Sequence, residues 1–376
     1  MFRQRRRVRC ESNWLHMERN LLSNSPVKPV TLKELAHLLE LSPATISRVL
    51  NGQASAFRIA EQTQNRVLHA AALYGYTANA VARSLRQKHT YTIGVIIPEI
   101  SEGYSTAVLS GIEDELSKKG FFYFVVSHRH REDLLEGYPR MLVSRSVEGI
   151  IAVDSPIDSE LPVPVVSVSG HQRREGVIDI ELDHEMAAEL ALSHLRSLGH
   201  SNIAFIKGQA FSSDTSCRWQ AIVDVASKLG ICIDPRLVVQ LHGIDPGPGP
   251  GAEVARELIQ TGLPFTAIFA FNDLSAIGAI LALRDAGLRV PQDVSVLGFD
   301  DVLTATTNNP PLTTIHQPMR AMGQAAASTL LRLIGDENPR FCKKVITVHP
   351  RLVIRESTGP ASSTVTSARH WHLQAS

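Results

Sequence analysis

From Tyr91 onward the sequence alternates short, continuously apolar runs with amphipathic stretches, and this alternation restricts the possible folds more than any other feature. The apolar runs are TIGVIIP, FFYFVV, VEGIIAV, VPVVSVS, NIAFI, FTAIFAF and VSVLGFD. Between them, residues 106–119, 184–198, 219–229, 253–261, 274–286 and 319–334 have the spacing of helices. A strand that is apolar on both faces must be covered on both faces, and a helix after each strand does this. The pattern therefore predicts doubly wound parallel sheets. Roughly 265 residues exceed what one such sheet needs, so two lobes are expected.

In open parallel sheets the ligand crevice lies at the carboxyl ends of the strands. Polar residues there are Asp154 and Ser155 after GIIAV, Asn272 and Asp273 after AIFAF, and Asp300 and Asp301 after VSVLGF. Arg218 is expected to open a helix after the loop GQAFSSDTS. Several acceptors with one bidentate donor suit a polyhydroxylated ring or a carboxylate. GPGPGA, at 247–252, lacks the G-x-G-x-x-G spacing and contains prolines that remove amide donors, so it reads as a flexible loop. SHRHRED, with His128 and His130, reads as a solvated loop, with contact of the two histidines to an acidic effector as the alternative.

The sequence contains no P-loop, H-E-x-x-H or G-x-S-x-G motif. Cys10, Cys217, Cys232 and Cys342 match no metal spacing and read as reduced thiols. No catalytic role, cofactor or metal is therefore expected. No apolar run approaches the roughly 18 residues of a membrane span. The arginine-rich start is followed by no apolar stretch, so a cytoplasmic protein is expected.

A formal net charge of +1 conceals an asymmetry. Residues 1–90 carry 14 Lys/Arg against 5 Asp/Glu, a net of +9, and the remainder carries 24 against 32, a net of −8. A basic front on an acidic body points to an anionic polymer as partner of the front alone. VTLKELAHLLEL opens with a capping box between Thr31 and Glu34. Ser42 is a good N-cap and Pro43 a good first residue for the next helix. There Ile46, Val49 and Leu50 face inward, leaving Thr45, Ser47, Arg48 and Asn51 outward. A third helix near 60–74 closes a small core with Val67, Ala71 and Tyr74. Two short helices joined by a tight turn, with a third behind them, make a helix-turn-helix. Its donor-rich second helix suits a DNA major groove.

VTLKELAHLLELSPATISRVLNG, YGYTANAVARSLR and the step into TIGVIIPEI resemble the headpiece and hinge helix of the LacI/GalR family of bacterial transcription regulators. HLRSLGHSNIAFIKG, FNDLSAIGAILALRDAGLRVPQDVSVLGFDD and PPLTTIHQP extend the resemblance through that family's periplasmic-binding-protein-like effector domain. The resemblance implies that Pro43, Ala44 and Arg48 read bases, and that Leu85, with Ala82 beside it, wedges into the centre of the operator. Thr31, Ser42, Thr45, Ser47, Asn51, Arg83 and Arg86 complete the expected DNA-facing set. It also implies that Asp183, Arg218, Asn272 and Asp300 contact the effector, with Tyr104 stacking on it and Ser105 beside it. Asp154, from its place after a strand, completes the expected effector-binding set. The family's common NPFF is EGYS here, 102–105, and the loop HGIDPGPGPGA offers Pro246 where some members place an aromatic.

The expected organisation is a disordered basic extension over 1–29, a helix-turn-helix over 30–78, and a hinge helix over 79–90. A two-lobed effector and dimerisation domain over 91–356 and a disordered tail over 357–376 complete it. The tail has no leucine heptads, so a homodimer is expected. Its expected partners are double-stranded DNA, as a pseudo-palindromic operator with a central C·G step, and a small effector such as a sugar or sugar derivative. A sugar-binding sensor that reads no DNA sequence is the alternative.

Overall fold

A computed structural model of the chain describes residues 30–52, 54–76, 89–101, 103–157, 160–171, 174–335 and 344–362. The chain divides into two compact units, Met1–Thr90 and Tyr91–Ser376. The hinge segment expected from 79 lies outside the described residues as far as Lys88.

The first unit holds helices α1 (Leu32–Leu39), α2 (Pro43–Leu50) and α3 (Glu61–Leu73). The expected capping box forms: Thr31 Oγ1 accepts from the Glu34 amide at 3.3 Å, and the Thr31 amide donates to Glu34 Oε2 at 2.7 Å. Glu40 adopts a left-handed conformation and ends α1. Arg66 donates from α3 to the Leu39 carbonyl at 3.2 Å, satisfying one of the acceptors that every helix end leaves open. Leu35, Ile46 and Val67 are fully buried at the centre of this unit. Each contributes roughly 1.5–3 kcal/mol of hydrophobic stabilisation.

The second unit is two stacked α/β lobes. In chain order its elements are β1 (Thr92–Ile97), α4 (Tyr104–Lys118), β2 (Phe122–Ser127), α5 (Glu132–Ser144), β3 (Gly149–Val153), β4 (Val165–Val168) and β5 (Val177–Leu182). Then come α6 (His184–Ser197), β6 (Ile203–Lys207), α7 (Ser213–Leu229), β7 (Val238–Gln240), α8 (Gly249–Gln260), β8 (Ala267–Ala270), α9 (Asp273–Asp285) and β9 (Ser295–Asp300). Last are α10 (Leu303–Thr307), β10 (Thr313–His316), α11 (Met319–Gly335), β11 (Val345–Val348) and β12 (Arg351–Val353).

The first sheet has the order β11-β5-β4-β3-β1-β2, and all its pairings are parallel. The second has the order β12-β10-β9-β8-β6-β7. It is parallel except for its edge strand β12, which pairs antiparallel with β10. The chain passes between the sheets three times: from β5 to β6, from β10 to β11, and from β11 to β12. Each sheet reverses its winding beside its first strand, at β1/β3 and at β6/β8. Ligand crevices form at such switch points.

Three expectations are corrected. GPGPGA is not a loop: α8 begins at Gly249, with Pro248 as its N-cap and Pro250 in its first turn, where proline loses no helical hydrogen bond. The glycines let α8 lie directly on α9; a Cβ on Gly251 would stand 2.4 Å from the Ser275 carbonyl oxygen, and one on Gly278 2.1 Å from that of Pro248. The helix expected from 219 begins at Ser213, so Arg218 lies in its second turn. Finally, 357–362 is ordered rather than a disordered tail. Ser357 is fully buried, donating to the Val296 carbonyl at 2.6 Å and accepting from the Thr313 amide at 2.8 Å. The Gly359 amide donates to Ser295 Oγ at 3.0 Å and the Ala361 amide to the Leu198 carbonyl at 2.8 Å. Backbone and hydroxyl groups hold this segment, and apolar periodicity does not register them.

Among the described residues no helix is long and apolar enough to cross a membrane. In the first lobe α4 and α11 meet through glycines, and a Cβ on Gly111 would lie 1.9 Å from the Arg320 carbonyl oxygen. Gly111→Ala is expected to destabilise the protein by about 2 kcal/mol through overpacking. Gly137→Ala, in α5 with open space around it, should instead stabilise by roughly 0.5 kcal/mol. Urea midpoints that move in opposite directions for the two variants check the contrast.

Candidate functional site

The two units carry separate candidate sites. In the first, Ser42 caps α2, its Oγ accepting from the Thr45 amide at 3.0 Å and lying 2.8 Å from Thr45 Oγ1. Asn51 closes the other end, donating to the Ser47 carbonyl at 2.7 Å and to Ser47 Oγ at 3.2 Å. These four polar residues thus already serve the helix itself. Pro43 and Ala44 are exposed, with no side-chain donor. Arg48 is exposed too, its guanidinium 3.8 Å from the centroid of the Phe57 ring. The ring limits the rotamers of Arg48, so less entropy is lost when the guanidinium meets a base edge. Phe57 was not part of the sequence expectation. Ala82, Arg83, Leu85 and Arg86 lie outside the described residues.

In the second unit, the loops after β1, β3, β6, β8 and β9 converge on a cleft of about 130 Å3 between the lobes. Tyr104, Ser105, Asp154, Arg218, Asn272 and Asp300 all line it. Asp183 does not: its carboxylate caps α6, accepting from the Met186 amide at 2.9 Å. Glu102 lies outside the described residues.

Asp154, from the first lobe, reaches the second. Its carboxylate accepts from the Ser213 amide at 3.2 Å, Ser213 Oγ at 2.6 Å and Ser212 Oγ at 3.3 Å. Burial and the charge of Asp214 push its pKa up to about 7, against the pull of the serines. Tyr104 donates to Ser169 Oγ at 2.7 Å, which fixes its ring on the first-lobe wall.

Arg218 is the main donor of the cleft and is only 5% exposed. It donates to the Phe271 carbonyl at 2.5 Å and to Asp214 Oδ2 at 3.2 Å. Its guanidinium packs on Phe271 and Phe299, at 4.4 and 3.6 Å from the ring centroids. Its Nε is buried without a hydrogen-bond partner among the described residues. Asp300 is buried as well, and burial holds its carboxyl well above the ordinary range despite the attraction of Arg218. Asn272 caps α9 through the Ser275 amide at 2.9 Å. Asp273 accepts from Thr314 Oγ1 at 2.6 Å and from the Val302 amide at 2.8 Å, a bracing role within the second lobe.

The sequence reading missed Asp214, Phe211, Gln209, Glu99 and Asp245 as lining residues. The polar string SSDTS resembled a loop, although a serine cap followed by an acid in the first turn is also a helix-start signal. His128 is buried rather than solvated, and His130 is half-buried and lines the cleft. The His130 ring lies 3.9 Å from that of Phe211, joining the two lobes at the cleft. His128 is 3% exposed, with Nε2 2.9 Å from Ser155 Oγ.

Burial, aided by the neighbouring His130, pushes the pKa of His128 down to about 4. The unfolded chain takes up a proton near pH 6.5 that the folded chain resists, so stability falls as pH drops from about 6.5 towards 4. At pH 5 the loss is on the order of 2 kcal/mol relative to pH 7.5. His128→Gln removes this share, so its urea midpoint should depend less on pH. Equal slopes for the two proteins would contradict the assignment.

A periplasmic binding protein-like domain matches residues 192–358. Over 339 residues the chain is 30% identical to the HTH-type transcriptional repressor PurR of Pasteurella multocida (strain Pm70), covering 87% of this chain and 98% of that protein. Its fold matches the lac repressor dimer bound to operator and the anti-inducer ONPF. The TM-score is 0.79 at 27% identity, over 88% of this chain and all of the other. A complex of the transcriptional regulator CelR with cellobiose matches with a TM-score of 0.64 at 27% identity, over 87% and 99% of the two chains.

Proposed function

Because the chain belongs to the LacI/GalR family of bacterial transcription regulators, we infer that it is a DNA-binding repressor whose operator affinity is set by a small ligand. The observation that carries this reading is the presence, in one chain, of a capped helix-turn-helix with an exposed arginine and a two-lobed cleft with a buried one. Two copies read the two halves of a pseudo-palindromic operator with a central C·G step. Arg48 reads bases, and Leu85 and Ala82 act at the centre. Strand β2 is a sheet edge bearing the exposed rings of Phe122 and Phe124, an apolar surface suited to a partner subunit. The protein acts in the cytoplasm and catalyses no reaction.

The charge of the cleft narrows the ligand. Among its described lining residues six carboxyl groups, Glu99, Asp154, Asp214, Asp245, Asp273 and Asp300, accompany one arginine. Burial favours the protonated form of Asp300 and, in part, of Asp154 and Asp273, and the remaining acids still outnumber the arginine. Phosphorylated ligands would meet net repulsion in a partly desolvated site. An uncharged or amine-bearing sugar finds acceptors for its hydroxyls, with Arg218 and Asn272 as donors. Its binding between lobes shifts their relative orientation, as Asp154 and the two serines permit.

Selection of bound duplexes from a random pool at about 0.15 M salt tests the DNA reading, since loose phosphate attraction is screened there. Enrichment of a palindrome is expected; no enrichment, with or without metabolite extract, would leave the sugar-sensor alternative. On the selected site, Arg48→Ala should cost about 1–3 kcal/mol and relax the preference at the base it reads. Leu85→Ala should weaken the selected site far more than random DNA. Arg218→Lys keeps a charge beside Asp214 but loses the planar fork, so the ligand response should weaken at least about tenfold while ligand-free DNA binding persists.

A further inference from the structure

The sequence shows no metal-ligand spacing, yet the fold gathers three ligating side chains from distant positions. His171 follows β4, His184 opens α6, and Asp214 lies in the first turn of α7. One nitrogen from each histidine and one oxygen of Asp214 lie within 4.8 Å of one another. His171 Nε2 stands 2.5 Å from Asp214 Oδ1, and His184 Nε2 stands 3.4 Å from the same oxygen. All three residues are buried or nearly so.

His184 is the unusual member. It is only 9% exposed; its Nδ1 has no hydrogen-bond partner among the described residues, and its Nε2 has only the 3.4 Å approach to Asp214 Oδ1, which lacks hydrogen-bond geometry. A buried imidazole with one nitrogen unpaired and the other only loosely approached costs free energy unless something else fills the position. The surroundings are those of a metal centre's supporting shell. His171 Nδ1 lies 3.6 Å from Glu181 Oε1, the carboxylate–histidine pairing that orients a metal-bound imidazole. The second oxygen of Asp214 is held by Arg218. Cys217 lies one turn further along α7 and is partly exposed.

We propose that His171, His184 and Asp214 form a binding site for a divalent transition ion of the zinc class, bridging the two lobes beside the ligand cleft. Nitrogen and carboxylate ligands in a buried three-residue set favour such an ion over magnesium or calcium, which require mostly oxygen. Ligands about 2.0–2.2 Å from a tetrahedral ion stand roughly 3.3 Å apart. The His184–Asp214 separation already meets this. The His171–Asp214 pair opens by about 1 Å when the ion replaces the proton the two now share. The fourth position is left for water. Because His171 belongs to the first lobe and Asp214 to the second, the ion acts on the same lobe arrangement as the cleft ligand. The site itself does not depend on the DNA-binding reading.

The test uses the full-length protein with cobalt(II) alone as a spectroscopic probe and zinc(II) as competitor. One cobalt per chain, with visible absorption of a low-coordinate site that zinc abolishes, is expected. His184→Gln, which gives up only the 3.4 Å approach to Asp214, should remove that stoichiometric uptake. Glu181→Gln should weaken it by about 10–100-fold as a positioning residue. His171→Gln should also abolish uptake; if that variant does not fold, His184→Gln carries the test alone. No stoichiometric cobalt uptake, or uptake unchanged in His184→Gln, would overturn the proposal.

Discussion

The carboxylate of Asp214 is the constraint on which the effector unit depends. It is 5% exposed, and a charge so buried is tolerated only with partners on every side. Burial alone would raise its pKa, yet the contacts with His171 and His184 and then the Arg218 charge outweigh that and hold it well below the usual carboxylate range. In return Asp214 and Glu181 overcome the burial of His171 and push that imidazole up to about 10. The pair is therefore charged across the physiological range. Removing one member of such a buried pair typically costs about 3–5 kcal/mol, because the other is left uncompensated. Through this one carboxylate the loop after β4, the start of α6 and the guanidinium of the cleft are fixed together.

The same network explains why the cleft is responsive as well as stable. Arg218 is held by a carbonyl, a carboxylate and two aromatic rings, so it is oriented before any ligand arrives. Preorganised donors lose little entropy on binding. Besides the His171–Asp214 pair, the walls are joined across the gap by Asp154 with Ser212 and Ser213, by Ser213 with the Ser169 carbonyl, and by His130 with Phe211. A ligand that competes for these contacts changes the relative stability of lobe arrangements. It does so only by the difference between its affinities for them.

Much of this was legible in the sequence, for reasons that differ by element. Interior strands such as β3 and β8 are buried throughout, and a continuously apolar run admits few other readings. The caps of α1 and α2 were legible because Thr31, Ser42 and Pro43 act locally. Strand β5 was missed because Asp179 and Glu181 interrupt its apolar run, although it pairs on both sides. Strand β11 pairs with β5, far earlier in the chain, and β12 returns to the other sheet beside β10, crossings that no local pattern encodes. The site divides the same way. Residues at strand ends, Asp154, Asn272 and Asp300, follow from topology. Asp214, His171 and His184 meet only through the folded lobes, 43 residues separating the first two in sequence.

The central claim is that ligand occupancy and DNA affinity are two faces of one equilibrium, and linkage makes it directly measurable. With the selected duplex and a ligand found by binding to the cleft, the ligand's dissociation constant is measured with and without saturating DNA. The DNA dissociation constant is then measured with and without ligand. Both must change by the same factor, expected at about 5–150-fold for typical allosteric coupling. A ligand that binds the cleft tightly while leaving the DNA constant unchanged would contradict the account.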